Sequence, residues 1–257
     1  MPGRDAGQGK HNILGVHVWA ATCTSAVDEI QRVIDNGDHR KLSFLNAHGA
    51  NIAFSDPDYC RTLQDFTVLS DGVGLDLGAR LLHGAAFPEN LNGTDFIPAL
   101  LSRLRGHKKI ALLGARAGIA DLAAQNFARS HPQHEFSVIS DGYFSKADLP
   151  KILTRLKKDR PDILLVAFGN PDQEFWIAEN CTSEHAALCV GVGALFDFMS
   201  GSVSRAPKAM INWRLEWLYR LWLEPRRMWH RYMVGNPLFL LRIVHQKLFG
   251  LKGGAGS

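Results

Sequence analysis

Acidic and amide side chains recur at one kind of place in this chain, just past short apolar runs. Asn46 closes LSFLNA (42–47), Asp71-Gly72 closes TVLSD (67–71), and Asp141-Gly142-Tyr143 follows EFSVIS (135–140). Gly114 ends KIALLG, Gly169-Asn170-Pro171-Asp172-Gln173-Glu174 ends DILLVAFG, and Gly193 to Asp197 ends AALCVGVG. A carboxylate so placed can accept or return a proton, and a glycine turn there lets a helix N-terminus approach an anion. Each signal is weak alone. Asp-Gly is an ordinary turn dipeptide, and Gln173 and Glu174 also suit the first turn of any helix. Gly114 and Gly118 do not form GxGxxG and no GK[ST] phosphate loop is present, which disfavours a dinucleotide oxidoreductase. Asp56-Pro57-Asp58 reads as a helix cap rather than a metal motif, so no metal site is expected.

A second group of reactive side chains fills the last fifth of the chain. Between Arg205 and Lys252 stand ten Lys or Arg against two Glu, about +8, while the whole 257-residue chain is only +4. Four of the six tryptophans lie there as well: Trp213, Trp217, Trp222 and Trp229. Arginine interleaved with Trp and Leu at helical spacing suits a membrane surface, with rings at headgroup depth and cations on phosphate. Trp213 and Trp217, four apart, read equally as a face docked on the rest of the protein. The plainer reading of Arg220 is a solvated pairing with Glu216 and Glu224 at i,i±4. No nucleic-acid-binding signature accompanies the basic residues, and nucleic acid is not expected as a partner.

These residues need a scaffold. Apolar runs alternate with amphipathic stretches from residue 13 to residue 193, which predicts an α/β fold with a parallel sheet and helices on both faces. Strands are expected at 13–19, 42–47, 67–71, 109–114, 135–140, 162–169 and 186–193. Helices are expected from Thr24 or Ser25 to Asp35, at 57–66 and 73–82, from Thr94 or Asp95 to Arg105, and at 118–129, 147–158 and 172–182. Alternation stops near 201–207, and Pro225 and Pro237 divide the remaining segment into three short helices. The expected organisation is a disordered N-terminus (1–11), a catalytic body (12–204), a helical appendage (205–249) and a disordered tail (250–257). The longest apolar run, Ala186 to Phe196, is too short to span a bilayer, and the N-terminus lacks a signal peptide's apolar core. Peripheral contact from the cytoplasmic side is the expectation. Cys23, Cys60, Cys181 and Cys189 have no CxxC or metal spacing and read as reduced thiols.

The motifs LNAHGANIA, SDGVGL, NGTDF, SDGYF, GNPDQEFW, GVGALFDFMSG, SRAP and LEWLYRLWLEPRR, in that order, resemble the WecG/TagA/CpsF family, glycosyltransferase family 26, over about residues 12–245. The resemblance implies inverting, metal-independent transfer of a hexose-type sugar from a UDP-sugar to a polyprenyl-diphosphate-linked saccharide. It also implies a Rossmann-like body with a C-terminal appendage that contacts the membrane, and exopolysaccharide or cell-wall polymer assembly at the inner membrane face as the setting. It implies Asp71 as the base that deprotonates the acceptor, and Asn46 near the nucleotide-sugar, although Asn46 also reads as a helix-capping turn residue. Gly72, Asn92, Gly93, Asp95, Gly142, Gly169, Pro171, Gly193 and Asp197 fall in the same motifs as substrate-binding candidates, and Gly114, outside them, is a candidate through its tight turn toward a helix N-terminus. Gln173 and Glu174 would read ribose or sugar hydroxyls, and Asp141 and Tyr143 would border uracil. Among Arg214, Arg220, Arg226, Arg227 and Arg231, the family pattern favours Arg214, Arg220 and one of Arg226 or Arg227 to hold the leaving diphosphate, because a guanidinium fork can replace a metal there. Arg205 would bind ligand or anchor the appendage.

Two positions depart from the family pattern: Phe44 stands where many relatives carry Thr, and Glu89-Asn90 where many carry Glu-Arg. They leave the donor open among glucosyl, glucuronosyl and N-acetylmannosaminyl types. They also sustain a rival, a noncatalytic nucleotide-sugar or lipid-diphosphate binding module. An exposed appendage leaves room for a homo-oligomer.

Overall fold

The computed structural model describes residues 9–207, 210, 213 and 216–250, apart from the Arg227 side chain. The expected disorder at 1–8 and 251–257 lies outside the described residues.

The chain opens with a hairpin instead of one strand. β1 (Lys10–Ile13) and β2 (Val16–Trp19) pair antiparallel around Leu14 and Gly15. Both turn residues have positive φ, 51° and 93°, the twist that a two-residue hairpin demands. Lys10 and His11, assigned to an unstructured N-terminus, therefore begin a strand. Six further strands complete the set: β3 (Arg40–Leu45), β4 (Thr67–Ser70), β5 (Lys109–Gly114), β6 (Glu135–Ser140), β7 (Ile163–Ala167) and β8 (Leu188–Gly191). They make one sheet of order β1-β2-β4-β3-β8-β7-β5-β6, parallel throughout except for β1. β7 and β8 are buried at every position, as strands covered on both faces must be.

The helices form two layers. Alternate β7 residues feed opposite cores, with Leu164 and Val166 on one side and Ile163 and Leu165 on the other. The second face is covered by α1 (Cys23–Asn36), α5 (Gly93–Arg103) and α6 (Ile119–Ser130) through Ile30, Phe96, Leu100 and Phe127. The first is covered by α2 (Ala47–Ser55), α3 (Pro57–Gln64), α4 (Val73–His83), α7 (Leu149–Asp159) and α8 (Asp172–Asn180). α1 is capped by Thr22 in a box with Ser25, slightly before the expected cap. α5 is capped by Asn92, before the expected Thr94 or Asp95. Asp56 caps α3 by accepting from the Asp58 and Tyr59 amides, as its context predicted.

After the short α9 (Leu195–Met199), the chain forms α10 (Glu216–Leu223) and α11 (Pro225–Trp229), then a π turn over His230–Gly235 and α12 (Asn236–Phe249). The break falls at Glu224, whose φ of −128° and ψ of 62° leave the helical region. α12 belongs to the body's packing. Phe239 and Ile243 are fully buried in the first core, and Gly78 of α4 admits them: a Cβ there would lie 3.0 Å from the Phe239 ring. Arg242 donates to the Asn51 carbonyl (2.9 Å) and side-chain oxygen (3.0 Å), and to Ser55 Oγ (2.9 Å). Asn51 donates to the Gly235 carbonyl at 2.7 Å. Gln246 accepts from the Leu14 amide at 2.9 Å and donates to the Asn12 carbonyl at 3.2 Å. Among the described residues, no helix is long and apolar enough to cross a membrane.

Candidate active site

β3 and β4 are neighbours, so the residues just past their ends emerge side by side. Leu45 pairs with Ser70, and the Asp71 amide continues the ladder to the Leu45 carbonyl at 2.8 Å. This register sets Asn46 against Asp71, with Asn46 Nδ2 donating to Asp71 Oδ2 at 3.2 Å. Asn46 Oδ1 accepts from the Gly49 amide at 3.0 Å as the N-cap of α2. Asn46 is thus the helix cap that its context predicted and, in addition, a partner of the Asp71 carboxylate. Gly72, at φ 93°, turns the chain into α4, and its amide donates to Asn90 Oδ1 at 2.7 Å. The loop bearing Asn90 is pinned to β4 by Leu91 N–H to Ser70 O (2.9 Å) and Ser70 Oγ to Glu89 O (3.2 Å).

Above this pair sit cations from the C-terminal segment. Enclosure pushes the Asp71 carboxyl above its ordinary range, while the Asn46 hydrogen bond and the charges of Arg231 and Arg220 pull it back and Asp95 pushes it up. Arg220 lies over the Phe198 ring, 4.9 Å from its centroid, and its Nε is buried without a hydrogen-bond partner. A buried, unpaired guanidinium nitrogen is costly unless an anion arrives. Arg205 lies 2.7 Å from Asp95 and 3.8 Å from Glu216, and its buried Nε is likewise unpartnered. Burial raises Glu216, Arg205 lowers it, Asp95 raises it, and weaker effects come from Arg220 and Asp71. Asp95 is in turn held by Asn92, which caps its amide at 3.0 Å and donates to its carboxylate at 2.8 Å. The β3–β4 end thus combines three carboxylates with Arg205, Arg220 and Arg231. His48, in the first turn of α2, is half-buried, and its pKa is lowered by burial and by Arg231 and His230.

Gln173 and Glu174 do not face the opening. They are 2% and 0% exposed, beneath the strand ends. Glu174 Oε1 accepts from Ser43 Oγ (2.7 Å), Asn170 Nδ2 (2.8 Å) and Gln173 Nε2 (2.7 Å), and Oε2 accepts from Tyr59 Oη (3.2 Å). Gln173 Oε1 accepts from the Gly169 and Gly193 amides at 3.2 and 2.9 Å. A side chain at Gly191 would meet Gln173 at 2.8 Å. The pair ties β3, α3 and the loops after β7 and β8 together. It positions them; ligand hydroxyls are not within its exposed reach.

The remaining candidates cluster past β5–β8. Gly114 presses on β7, where a Cβ would lie 2.6 Å from the Ala167 carbonyl, and Gly142 presses on Ala115 at 3.0 Å. These glycines serve backbone packing rather than room for an anion. Asp141 accepts from the Tyr143 amide at 2.9 Å, and Tyr143 is 78% exposed beside a cavity of about 480 Å³ that Lys151 and Arg155 also line. Asp197 faces Arg116 at 3.8 Å. Pro171 precedes α8, with Gly169 and Gly193 in the adjoining loops. Five strand steps separate β4 from β6, about 24 Å at ~4.8 Å each. Asp71 and Asp141 cannot touch the same sugar ring.

Comparison with known proteins identifies the family. The model of the glycosyl transferase WecG/TagA/CpsF family matches residues 11–253. The chain belongs to that family. An N-acetylglucosaminyldiphosphoundecaprenol N-acetyl-beta-D-mannosaminyltransferase of Bacillus subtilis strain 168 is 31% identical over 240 residues, covering 92% of this chain and 91% of the relative. A transferase of the same name from Bacillus spizizenii is 32% identical over 213 residues, 80% of each chain.

For this WecG/TagA/CpsF member, Asn46, Asp71, Gly72, Asn92, Gly93, Asp95, Arg205 and Arg220 lie at one end of the row of strand termini. Arg214 and the Arg227 side chain lie outside the described residues. Trp217 stacks edge-on against Tyr232 at 5.6 Å, whereas Trp213 is 79% exposed, so the two tryptophans divide between packing and display. Among the described residues, no group of three or more His, Cys, Asp or Glu is placed to hold a metal. Sequence reasoning weighed Arg231 with the other arginines of the segment without selecting it, and passed over Glu216 and His48 as site residues. Arg231 stands eleven residues after Arg220, but the break at Glu224 and the π turn shift helical phase, so spacing could not assign its face.

Proposed function

We propose that this glycosyl transferase moves a hexose-type sugar from a UDP-sugar to a polyprenyl-diphosphate-linked saccharide with inversion, at the inner membrane face. The names of the Bacillus relatives make N-acetylmannosamine the first donor to try and an N-acetylglucosaminyl-diphospho-prenol the first acceptor. The reading rests chiefly on one observation: Asp71, held by Asn46, sits under the charges of Arg231 and Arg220 from the terminal helices.

In the step envisaged, an acceptor hydroxyl loses its proton to Asp71 as its oxygen bonds to the anomeric carbon. The bond from that carbon to the diphosphate oxygen breaks on the opposite face, and UDP leaves with the electron pair. The raised proton affinity of Asp71 suits a base, since a weakly basic carboxylate would be a poor proton acceptor. Charge gathering on the departing diphosphate needs prearranged cations, and the guanidinium charges of Arg231 and Arg220 acting on Asp71, with Arg205 beside Asp95, support that role. The lipid half of the acceptor has a counterpart in exposed Leu218, Trp222, Trp229, Leu238, Leu241 and Leu248. An apolar cavity of about 560 Å³ lined by Met210, Leu218, Tyr219, Leu221 and Trp222 lies on the helix that bears Arg220.

The test is UDP release from UDP-N-acetylmannosamine with a short-chain prenyl-diphosphate N-acetylglucosamine. Asp71→Asn is expected to bind UDP normally and to lose on the order of a hundredfold or more in turnover. Near-normal turnover by that variant would remove Asp71 from the role. A purely binding protein would release no UDP even as wild type.

A further inference from the structure

Asn90 lies in the loop between α4 and α5, and its side chain already has a partner. Its Oδ1 accepts the Gly72 amide at 2.7 Å, among the shorter contacts of the site. Gly72 caps α4 with φ 93° and no side-chain cap; its carbonyl accepts from Leu75 N–H at 3.2 Å, whereas its amide is held by Asn90. The peptide on the other side of Asp71 is fixed by its own amide bonding to Leu45 O. Asn90 fixes the next peptide along, and the two bonds together set the direction in which the Asp71 side chain leaves the backbone. Asn90 itself cannot wander. Leu91 N–H and Glu89 O both bond Ser70, and Glu89 Oε2 accepts the Cys23 amide at the start of α1 at 2.9 Å.

We propose that Asn90 is a positioning residue for Asp71, holding the Asp71–Gly72 peptide so that the carboxylate meets Asn46 and the acceptor hydroxyl in one orientation. This rests on the reading of Asp71 as the base. The bland alternative is that Asn90 merely stabilises a surface loop, in which case its loss would lower stability and leave turnover per folded molecule intact.

The experiment compares Asn90→Ala, Asn90→Asp and Asp71→Asn in steady-state UDP release across pH, beside thermal unfolding. Asn90→Ala is expected to lose on the order of ten- to a hundredfold in kcat with KM for the UDP-sugar within about twofold, since small misplacements of a reacting group cost that much. Asn90→Asp keeps an acceptor for the Gly72 amide, so it should retain most of the plateau rate. Its added negative charge beside Asp71 should also move the acid limb of the profile to higher pH. Wild-type kcat in Asn90→Ala, or an Asn90→Asp variant with an unmoved acid limb, overturns the proposal. If Asn90→Ala does not fold, the Asn90→Asp profile decides alone. An active Asp71→Asn would instead overturn the assignment of the base. An inactive Asp71→Asn beside an unaffected Asn90→Ala would overturn only the role of Asn90.

Discussion

Asp71 is asked to be both charged and enclosed, and the fold resists the combination. Its carboxyl is raised because enclosure penalises the anion more than Asn46, Arg231 and Arg220 favour it. A folded-state value above the unfolded one means the ionised group weakens the fold, and this penalty is complete only above the folded-state pKa. Asp71→Asn should therefore melt at higher temperature than wild type at neutral pH. The advantage should shrink as pH falls through the raised folded value and vanish below the ordinary 3.8. The acid limb of the wild-type rate should also lie above that value. Calorimetry at several pH values checks the first point, and coincident melting at every pH would contradict it. Asp71 and Asn46 stood out in sequence as polar residues at strand ends, but it was the family motifs, not the spacing, that singled them out. The inward turn of Gln173 and Glu174 was not legible. Polarity at a strand end says nothing about direction, and the space that accepts Gln173 is made by Gly191 on a different strand.

Among the elements, α12 is the one whose role the sequence concealed. NPLFLLRIVHQKLF is apolar on most sides, so its pattern does not say which face meets protein. Packing decides it: Phe239 and Ile243 enter over Gly78, while Leu241 and Leu248, each 68% exposed, point away. A domain boundary near 204 fitted the composition, yet cutting there would strip two buried side chains from the body's core. Phe239→Ala should cost about 3–5 kcal/mol in urea unfolding, whereas Leu241→Ala should stay within roughly 0.5 kcal/mol. Equal small losses would mean that α12 is not part of the cooperative unit. The same helix bonds α2 through Arg242 and packs on α4, and these two helices begin at Asn46 and Gly72. The parallel sheet itself was read correctly from apolar runs. The opening hairpin was missed because Leu14-Gly15 lacks the Asn-Gly or Asp-Gly signature of such turns.

At the scale of the whole molecule, charge and apolar surface are unevenly shared. The segment from Arg205 carries about +8 against a body near −4, and its helices display Trp222, Trp229, Leu241, Leu248 and Phe249. Such a surface should bind vesicles containing phosphatidylglycerol, less so at high salt, because both apolar insertion and anionic attraction contribute. Leu241→Asp combined with Leu248→Asp should weaken sedimentation with these vesicles by about tenfold or more and leave turnover of a water-soluble acceptor unchanged. Unaltered sedimentation would place the lipid contact elsewhere.

The bonds between Gln246 and the opening hairpin join residues 232 positions apart. During synthesis, at roughly 5–20 residues per second, the hairpin's bonds to Gln246 and the filling of the gap over Gly78 must wait until α12 has left the ribosome. Premature termination would thus leave an exposed apolar furrow between α2 and α4, a natural target for chaperones and proteases.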